Sequence, residues 1–329
     1  MFTHHEDFNV EPICYDEKHI NNVLKAIREN FDAYFDRYIE TQAGALISGA
    51  ELKELQKKFG LKVTDKRKAR DLPASFRTII SDSIEDFEKD RDDYIQIMDL
   101  ELLEEYEDDP HTFKSKVLKC ECPIIRKTYQ NKLAKELDKY RADFNRADAE
   151  ELRSVVYNLC EFGDEYQEEY DPDEYENIGN YEDLNLSDLD TEDYTAFGVI
   201  GGGIKTHLLF KAHPAVFPNR SADALWALWY LTDKDDFGCS TDSEFLMIDV
   251  RKSFTQQNYF YPYDLFAYYA YELYKMLREK AEQMNIEFDD DYRYVYVDSF
   301  LTYIAREHDS DIAFIKSSSD DVYRSYGHD

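Results

Sequence analysis

Basic residues are missing from a long stretch of this chain. Between Arg153 and Lys205 the sequence has no lysine or arginine, and the same stretch carries fifteen aspartates and glutamates, about half of the formal net charge of −32. Such a charge repels nucleic acid and membrane phosphate. The sequence therefore predicts no direct binding to nucleic acid or to membranes, and it indicates a basic surface as the partner.

Glycine, proline and cysteine are also scarce. Eleven Gly and eight Pro in 329 residues favour a helical chain with few tight turns. Five Cys are an odd number without the spacing of a disulfide framework, which is typical of free thiols in a reducing cytoplasm. The apolar fraction of 43%, with 27 Tyr, 21 Phe and 2 Trp, is by contrast enough to build cores, so wholesale disorder is not expected.

Membrane and export signals are absent from the sequence. No uninterrupted apolar run approaches the ~18 residues of a membrane span. The N-terminus, residues 1–7, lacks the basic and apolar regions of a signal peptide. Both observations predict a cytoplasmic protein.

Residues 1–72 are predicted to form an N-terminal helical segment. Apolar residues recur at steps of three and four over residues 18–40, which is typical of an amphipathic helix. A capping box over residues 48–51 predicts a second helix that ends at Gly60, because its hydroxyl and carboxylate satisfy free amide donors. Residues 62–70 are predicted to form an exposed basic loop.

Two long amphipathic patterns over residues 73–162 predict an antiparallel helical hairpin that projects as an arm. The first pattern, over residues 73–106, is mainly acidic, and the second, over residues 124–162, is mainly basic with a break near Ala147. Opposite charges on two helices joined by a short link favour antiparallel packing. Ordinary bundle helices folded onto the rest of the chain are the alternative.

The remainder of the chain is predicted to be a linker and a compact domain. Residues 163–195 show no clean period and predict an acidic, tyrosine-rich linker, partly ordered at best. Residues 196–329 predict a C-terminal α+β domain, so the fold class is α+β and mostly helical. Its predicted helices cover residues 204–212, 222–232, 262–284 and 299–308, and its small sheet uses residues 245–250 and 292–297.

Catalytic motifs are incomplete. The glycine-rich segment 198–206 differs from a P-loop because an isoleucine separates the last glycine from Lys205. The segment 244–252 is similar to a nuclease strand, but Arg251 stands where the lysine is expected. No catalytic residue is predicted, and an enzyme centred on residues 198–252, either a metal-dependent nuclease or a nucleotide-processing protein, stays an alternative.

Metal-binding motifs are incomplete as well. Cys120, Cys122 and His111 offer three ligands, whereas a structural zinc site needs four. The aspartate clusters at residues 233–236 and 289–291 lack calcium-loop spacing. No metal and no cofactor is therefore predicted.

The acidic charge is dense enough to resemble that of DNA. Residues 82–109 carry fourteen acidic and two basic groups. As one straight helix they would span ~42 Å, with one net charge every ~3.5 Å, close to the ~3.4 Å spacing along one DNA strand. This predicts a surface that imitates nucleic acid. The tyrosine-rich run 259–274 predicts that some of its rings lie in a protein interface.

These features predict a non-enzymatic inhibitor or interaction protein. It would bind a basic, nucleic-acid-handling protein complex, such as a host defence nuclease, and block DNA binding or cleavage, partly by acidic surface mimicry. Charge would steer association, and tyrosines would supply contact area. The predicted partner-binding residues are Glu104, Glu105, Asp108, Asp109, Asp164, Glu165, Tyr166, Glu168, Glu169, Tyr170, Asp171, Asp173, Glu174 and Tyr175.

In acidity, size and the layout of an arm plus a compact domain, the chain resembles phage-encoded anti-defence proteins, among them the Gabija anti-defence family. The resemblance covers overall character and carries over no functional residue. It implies a homo-oligomer assembled around a nuclease complex in the cytoplasm of the host cell. A virion or scaffold protein is a third class, which predicts large self-assemblies without a basic partner.

Overall fold

The computed structural model describes residues 12–40, 71–131, 137–239, 245–248 and 256–316. Within these ranges helices dominate. In chain order the α- and π-helices are α1 (Glu17–Glu40), α2 (Leu72–Glu88), α3 (Arg91–Ile97), α4 (Leu100–Glu105), a one-turn helix (Pro110–Thr112) capped by Asp109, a π-helix (Phe113–Glu121), α5 (Pro123–Gln130), α6 (Asp138–Arg146), α7 (Ala149–Glu169), α8 (Pro172–Glu176), α9 (Gly202–Ala212), α10 (Ala222–Leu231), α11 (Tyr263–Gln283) and α12 (Arg293–Glu307). The two short strands are β1 (Met247–Ile248) and β2 (Gln256–Gln257).

The amphipathic helix predicted over residues 18–40 is confirmed as α1. Its buried side chains, Val23, Ile27, Phe31 and Phe35 among them, recur at steps of four along one face. That face packs against α2, α10 and α12, while the opposite face stays polar and exposed. Apolar periodicity in the sequence therefore located this helix to within one residue.

The centre of the core is α10. Every residue from Ala224 to Leu231 is buried, and the helix begins where Ser221 Oγ accepts a hydrogen bond from the Ala224 amide (3.1 Å). It packs against α12, α1 and both strands. Burial of Trp226 alone removes enough apolar surface to contribute roughly 4 kcal/mol. The prediction of a central buried helix over residues 222–232 is confirmed.

The predicted α+β domain with a small sheet is wrong. Within the described residues, the strand pairing is one antiparallel ladder of two residues on each side, in which Met247 faces Gln257 and Ile248 faces Gln256. Helices and turns make up the rest of the C-terminal half. The architecture is therefore helical, with no sheet layer among the described elements.

The predicted strand over residues 292–297 lies mostly in α12. Alternating valine and tyrosine indicate a strand when one face is exposed, but here Tyr294, Val295, Tyr296 and Val297 are all buried. They are buried because α12 packs against α10, α11 and α2 at once. The sequence of a helix that is buried on most sides shows no helical period of apolar residues. Tertiary packing here overrides the β propensity of valine and tyrosine.

The predicted helical hairpin over residues 73–162 is also wrong. Its first helix is divided into α2, α3 and α4, with breaks at Asp90 and Asp99. The Asp99 carboxylate caps α4 by accepting from the Leu102 amide (2.8 Å), whereas the Asp90 carboxylate accepts from Lys211 Nζ (2.7 Å). Because α2 packs on α1 and α12, and α3 on α9, these helices fold onto the rest of the chain instead of projecting.

The break predicted near Ala147 is confirmed. Helix α6 ends at Arg146, and α7 begins after Asp148, whose carboxylate accepts from the amides of Glu150 (2.9 Å) and Glu151 (3.0 Å). An N-terminal aspartate both satisfies free amide donors and interacts favourably with the helix dipole. This aspartate therefore has a structural role that its charge alone does not indicate.

Residues 163–195, predicted as a partly ordered linker, fold onto the core. Helix α7 continues to Glu169, α8 follows, and three 3₁₀ turns complete the segment. Ile178, Leu184, Leu186 and Leu189 are buried, which anchors the turns against α11. Apolar side chains spaced through a polar sequence are what keep this segment in place.

The buried apolar residues form one contiguous cluster from Cys14 to Ile312. The boundaries of the four predicted parts stay a prediction. The helix predicted over residues 48–60 and the basic loop over 62–70 lie outside the described residues. Among the described helices, none combines the length and the apolar character needed to cross a bilayer.

Candidate acidic interaction surface

The two acidic groups of predicted partner-binding residues adjoin in space. Helix α4 packs against α7, and Arg153 Nη1 donates a hydrogen bond to the Leu103 carbonyl (3.1 Å). Burial, followed by the charges of Glu161 and Glu104, raises the pKa of Tyr157. Carboxylates 57 residues apart in sequence therefore act on the same phenol.

The acidic surface continues from α7 to the 3₁₀ turns. Burial, followed by the charges of Asp188, Asp193, Glu161 and Glu165, raises the pKa of Tyr194. The charge of Glu161 thus acts both on Tyr157, beside α4, and on Tyr194, in the 3₁₀ turns.

On the α4 side, Asp99 extends the same surface. Burial, followed by the charge of Asp164 and by weaker contributions from Asp99 and Glu161, raises the pKa of Cys160 to about 12. We use the name acidic face for six exposed carboxylates of this surface: Asp99, Glu104, Glu161, Glu165, Asp188 and Asp193.

Buried cations lie beneath this surface. Lys205 and Arg220 approach Asp190 at 3.7 and 3.5 Å, and Lys205 Nζ also donates to the Leu189 carbonyl. Arg293 Nη2 donates to the Tyr170 hydroxyl (3.0 Å). These cations come from the C-terminal half, so they secure the acidic segment from below while its outer carboxylates stay exposed.

Several predicted partner-binding carboxylates have structural partners. Asp109 and Asp171 are helix N-caps that accept from the amides of Thr112 (3.1 Å) and Asp173 (2.8 Å). Asp164 Oδ1 lies 3.3 Å from His213 Nε2. The remaining predicted carboxylates are exposed, namely Glu104, Glu105, Asp108, Glu165, Glu168, Glu169, Asp173 and Glu174.

The tyrosines predicted to contact a partner turn inward. Tyr175 is 5% exposed, and its ring faces the guanidinium of Arg293 at 4.4 Å. The Tyr166 hydroxyl donates to the Leu184 carbonyl (2.8 Å), and Tyr170 bonds to Arg293. These rings fix the acidic segment to the core, because Tyr175 is buried and Tyr166 and Tyr170 are half-buried. Their role in binding a partner stays a prediction.

The tyrosine-rich helix is likewise internal. In α11 every residue from Tyr263 to Tyr274 is buried, and the hydroxyls reach internal acceptors: Tyr263 donates to the Pro218 carbonyl (2.8 Å) and Tyr271 to the Tyr175 carbonyl (2.7 Å). A phenol can be buried without loss when its hydroxyl is hydrogen-bonded. The tyrosines of α11 are therefore not exposed for the predicted interface. Phe260, which belongs to the same run but precedes α11, is 55% exposed.

The glycine-rich segment at the start of α9 allows close packing against Arg220. A Cβ at Gly202 would lie 2.7 Å from Arg220 Nη2, so only glycine leaves room for that buried arginine. Lys205 points to Leu189 and Asp190, and burial lowers its pKa to about 8. Lys205, which suggested a phosphate site in the sequence, is therefore buried and bonded within the fold.

The other sequence candidates do not assemble into sites. Cys120 is exposed and donates to the Ser115 carbonyl (3.4 Å), whereas Cys122 is buried and burial raises its pKa to about 11. Glu244, Asp249 and Arg251 of the nuclease-like segment lie outside the described residues. Among the described residues, a different group, Cys14, His19 and Cys239, brings metal-ligating atoms together.

A polar cleft of about 860 Å³ lies between α2, α5, α9 and α12. Aspartates outnumber basic side chains in its lining, so the cleft favours cationic or neutral polar molecules over anions. The aspartates are Asp82, Asp86, Asp90, Asp223 and Asp298, and the basic residues are Lys127, Lys211 and Arg306.

The polar groups of this cleft bond to one another. Ser83 Oγ donates to Ser299 Oγ (2.7 Å), and Asn219 Nδ2 donates to Asp298 Oδ1 (2.9 Å). His207 Nε2 lies 3.1 Å from the Tyr94 hydroxyl, and burial lowers the pKa of this histidine to about 4. Among the lining residues, neither serine is paired with a general base, so the arrangement does not favour nucleophilic catalysis.

Sequence reasoning missed the cleft and the buried cations. Lys211, Arg220 and Arg293 belong to no motif, and their spacing does not predict that they are buried. Their one shared signal is a location in otherwise apolar or aromatic sequence, as in the run 222–231 that follows Arg220.

Comparison with family models, curated proteins and solved structures finds no match to this chain.

Proposed function

We propose that this chain is a non-enzymatic interaction protein that binds a basic, nucleic-acid-handling protein through its acidic face. The observation that carries the proposal is the convergence of α4, α7 and the 3₁₀ turns on one surface, where Glu161 acts on both Tyr157 and Tyr194. Blocking DNA access or cleavage by that partner is the expected consequence.

The pairing of charges supports a role beyond solubility. Among the described residues, no lysine, arginine or histidine forms an ion pair with any carboxylate of the acidic face. The cations that neutralise this segment pair with other carboxylates, the half-buried Asp190 and, on the side facing α11, Glu176. A surface left with concentrated negative charge attracts a positively charged partner at long range and raises the association rate.

The acidic charges are not arranged along one straight helix, as the comparison with a DNA strand had assumed. Residues 82–109 are divided among α2, α3 and α4, so their charges do not follow a single ~42 Å axis. The proposal therefore rests on a patch of six carboxylates drawn from three chain segments. Nuclease inhibition, a homo-oligomer and the host-cell cytoplasm stay parts of the proposal that follow from the resemblance to anti-defence proteins.

Affinity chromatography with the immobilised full chain tests the proposal. We expect basic nucleic-acid-binding proteins to be retained from a host lysate at low salt and released as salt rises, because screening shortens the Debye length from ~30 Å at 0.01 M to ~8 Å at 0.15 M. Mass spectrometry identifies the released proteins, and the purified candidate is then titrated against the chain with and without DNA.

A matched pair of variants assigns the binding to the face. Glu104→Gln/Glu161→Gln/Glu165→Gln removes three charges from the acidic face, and Glu279→Gln/Glu282→Gln/Glu287→Gln removes three exposed charges at the end of α11 and beyond it. The first variant should weaken binding of the purified partner about tenfold or more, and the second much less. Equal binding by both variants, or retention of no nucleic-acid-binding protein, would contradict the proposal.

A further inference from the structure

A cluster of metal-ligating side chains lies where the N-terminal segment meets the turn after α10. Cys14, His19 and Cys239 are 5%, 2% and 6% exposed, and their ligand atoms all lie within 4.8 Å of one another. The two sulfurs are 3.8 Å apart although 225 residues separate them in sequence. The acidic face and the cleft use none of these groups.

The hydrogen bonds of His19 identify the nitrogen that is available to a metal. Nδ1 lies 3.2 Å from the Phe237 carbonyl, and because a carbonyl only accepts, Nδ1 carries the proton. Nε2 therefore bears the lone pair and lies 3.1 Å from the Tyr261 hydroxyl. A backbone carbonyl that accepts from one ring nitrogen is the usual support for a histidine that binds metal through the other.

The distances suit a tetrahedral zinc ion. A disulfide needs sulfurs ~2.05 Å apart, well below the observed separation. Two thiolates at ~2.3 Å from zinc are ~3.8 Å apart, and a thiolate and an imidazole nitrogen are ~3.6 Å apart. The sulfurs of Cys14 and Cys239 already meet the first value, and a ring nitrogen of His19, within 4.8 Å of both sulfurs, reaches the second with a shift of about 1.2 Å at most.

The backbone around Cys239 adopts costly conformations that place its thiol beside Cys14. Lys234, Phe237 and Gly238 have φ of 63°, 49° and 87°. A left-handed conformation at the two residues with a Cβ costs ~1 kcal/mol or more each. A Cβ at Gly238 would lie 3.0 Å from Ile13 Cδ1, next to Cys14, so the turn is pressed against the N-terminal segment.

We propose that Cys14, Cys239 and His19 Nε2 bind one zinc ion, with the Tyr261 hydroxyl as the fourth ligand. Zn²⁺ displaces one proton from each thiol, and the two thiolates and neutral imidazole leave the complex uncharged, which suits a buried site. Soft thiolates together with imidazole select zinc over magnesium or calcium.

Tyr261 binds as a neutral phenol. Its hydroxyl lies 2.9 Å from that of Tyr269, to which it donates its proton when its lone pair faces the metal. The ion joins the first described turn of the chain to the turn after α10, and so acts as a cross-link of the fold that is independent of the partner-binding proposal.

Metal analysis of the full chain, produced without an affinity tag in zinc-supplemented medium, tests this proposal. We expect one zinc per chain in the wild type and loss of it in Cys14→Ser and Cys239→Ser. Cys120→Ser, which changes an exposed thiol, should keep its zinc. A His4→Ala/His5→Ala chain controls for adventitious binding by the two histidines near the N-terminus and should also keep it.

Cobalt substitution of the wild-type chain gives a readout that does not depend on the folding of a variant. Bound Co²⁺ should show the intense visible absorption of a tetrahedral site with thiolate-to-cobalt charge transfer, and a chelator should abolish the absorption and lower Tm. A wild-type chain without zinc, zinc retained in both serine variants or lost in the histidine control, octahedral cobalt, or a Cys14–Cys239 disulfide in peptide mapping would each overturn the proposal.

Discussion

Buried basic side chains explain how so acidic a chain folds. Lys205, Lys211, Arg220 and Arg293 are at most 6% exposed, and each donates to backbone carbonyls as well as to carboxylates or phenols. Burial of a charge is tolerated when most of its donors find such partners, and among the described residues Arg220 Nε and Arg293 Nε are the donors of these cations left without one. A net charge of −32 therefore does not describe the interior, where Lys205, Arg220 and Arg293 contact the segment that has no lysine or arginine of its own.

Asp298 provides a prediction about pH. Burial raises the pKa of its carboxyl from 3.8 to about 6, so the folded chain holds this proton more tightly than the unfolded chain. The stabilisation is present below pH ~4 and is lost as pH rises to ~6. We expect Asp298→Asn, which keeps an acceptor for Asn219, to increase the unfolding free energy at pH 7 by on the order of 2 kcal/mol.

Urea unfolding of wild type and variant at several pH values checks this prediction. The difference between the two chains should shrink towards zero near pH 4, where wild-type Asp298 is protonated. His207, whose pKa is lowered by burial, is unchanged in the variant and so cancels in the difference. A difference that is constant from pH 4 to 7 would show that the carboxyl titrates normally.

At the scale of the element, several aspartates act as helix caps in addition to contributing surface charge. Asp71, Asp99, Asp109, Asp148 and Asp171 each accept from amides at the start of a helix. Within the helix predicted over residues 73–106, Asp99 caps α4 at one break, and Asp90 at the other break accepts from Lys211 instead. The periodic apolar stripe continues through the breaks, so the stripe alone does not reveal them, whereas an aspartate followed by helix-forming residues does.

The N-cap of α7, Asp148, allows a prediction about the free energy of unfolding. Asp148→Ala should lower the unfolding free energy by about 1 kcal/mol, because two amides lose their acceptor, while Asp148→Asn should be nearly neutral. Urea midpoints of the two variants give the comparison. Equal destabilisation by both would mean that the charge of Asp148, and not its hydrogen bonds, stabilises α7.

The glycines that begin α9 offer a matched pair. Gly202→Ala places a Cβ 2.7 Å from Arg220 Nη2 and should lower the unfolding free energy by roughly 1–3 kcal/mol. Gly201→Ala meets nothing within 4 Å, has an extended φ of −97°, and should stay within about 0.5 kcal/mol of wild type. Thermal unfolding separates them, and similar losses for both would refute the packing role of Gly202.

At the scale of the whole molecule, the carboxylates of the acidic face repel one another. We expect added NaCl to raise Tm by a few degrees, because salt screens this repulsion and each kcal/mol shifts Tm by about 1–2 °C in a chain of 329 residues. The variant Glu104→Gln/Glu161→Gln/Glu165→Gln should start from a higher Tm at low salt and show a smaller rise. A Tm that does not change with NaCl in either chain would argue that the acidic face causes no strain on the fold.

The sequence by itself determined α1, whose apolar stripe faces one side, the start of α7 and the central helix α10, because periodicity, capping and uniform apolarity are local properties. It also determined the net charge, on which the proposal of a basic partner rests. Only the tertiary structure decided that residues 292–297 form a helix, that the tyrosines of α8 and α11 are internal, and that Cys14 and Cys239 meet. Those outcomes depend on contacts between residues far apart in the chain, and packing on several sides outweighs local preference.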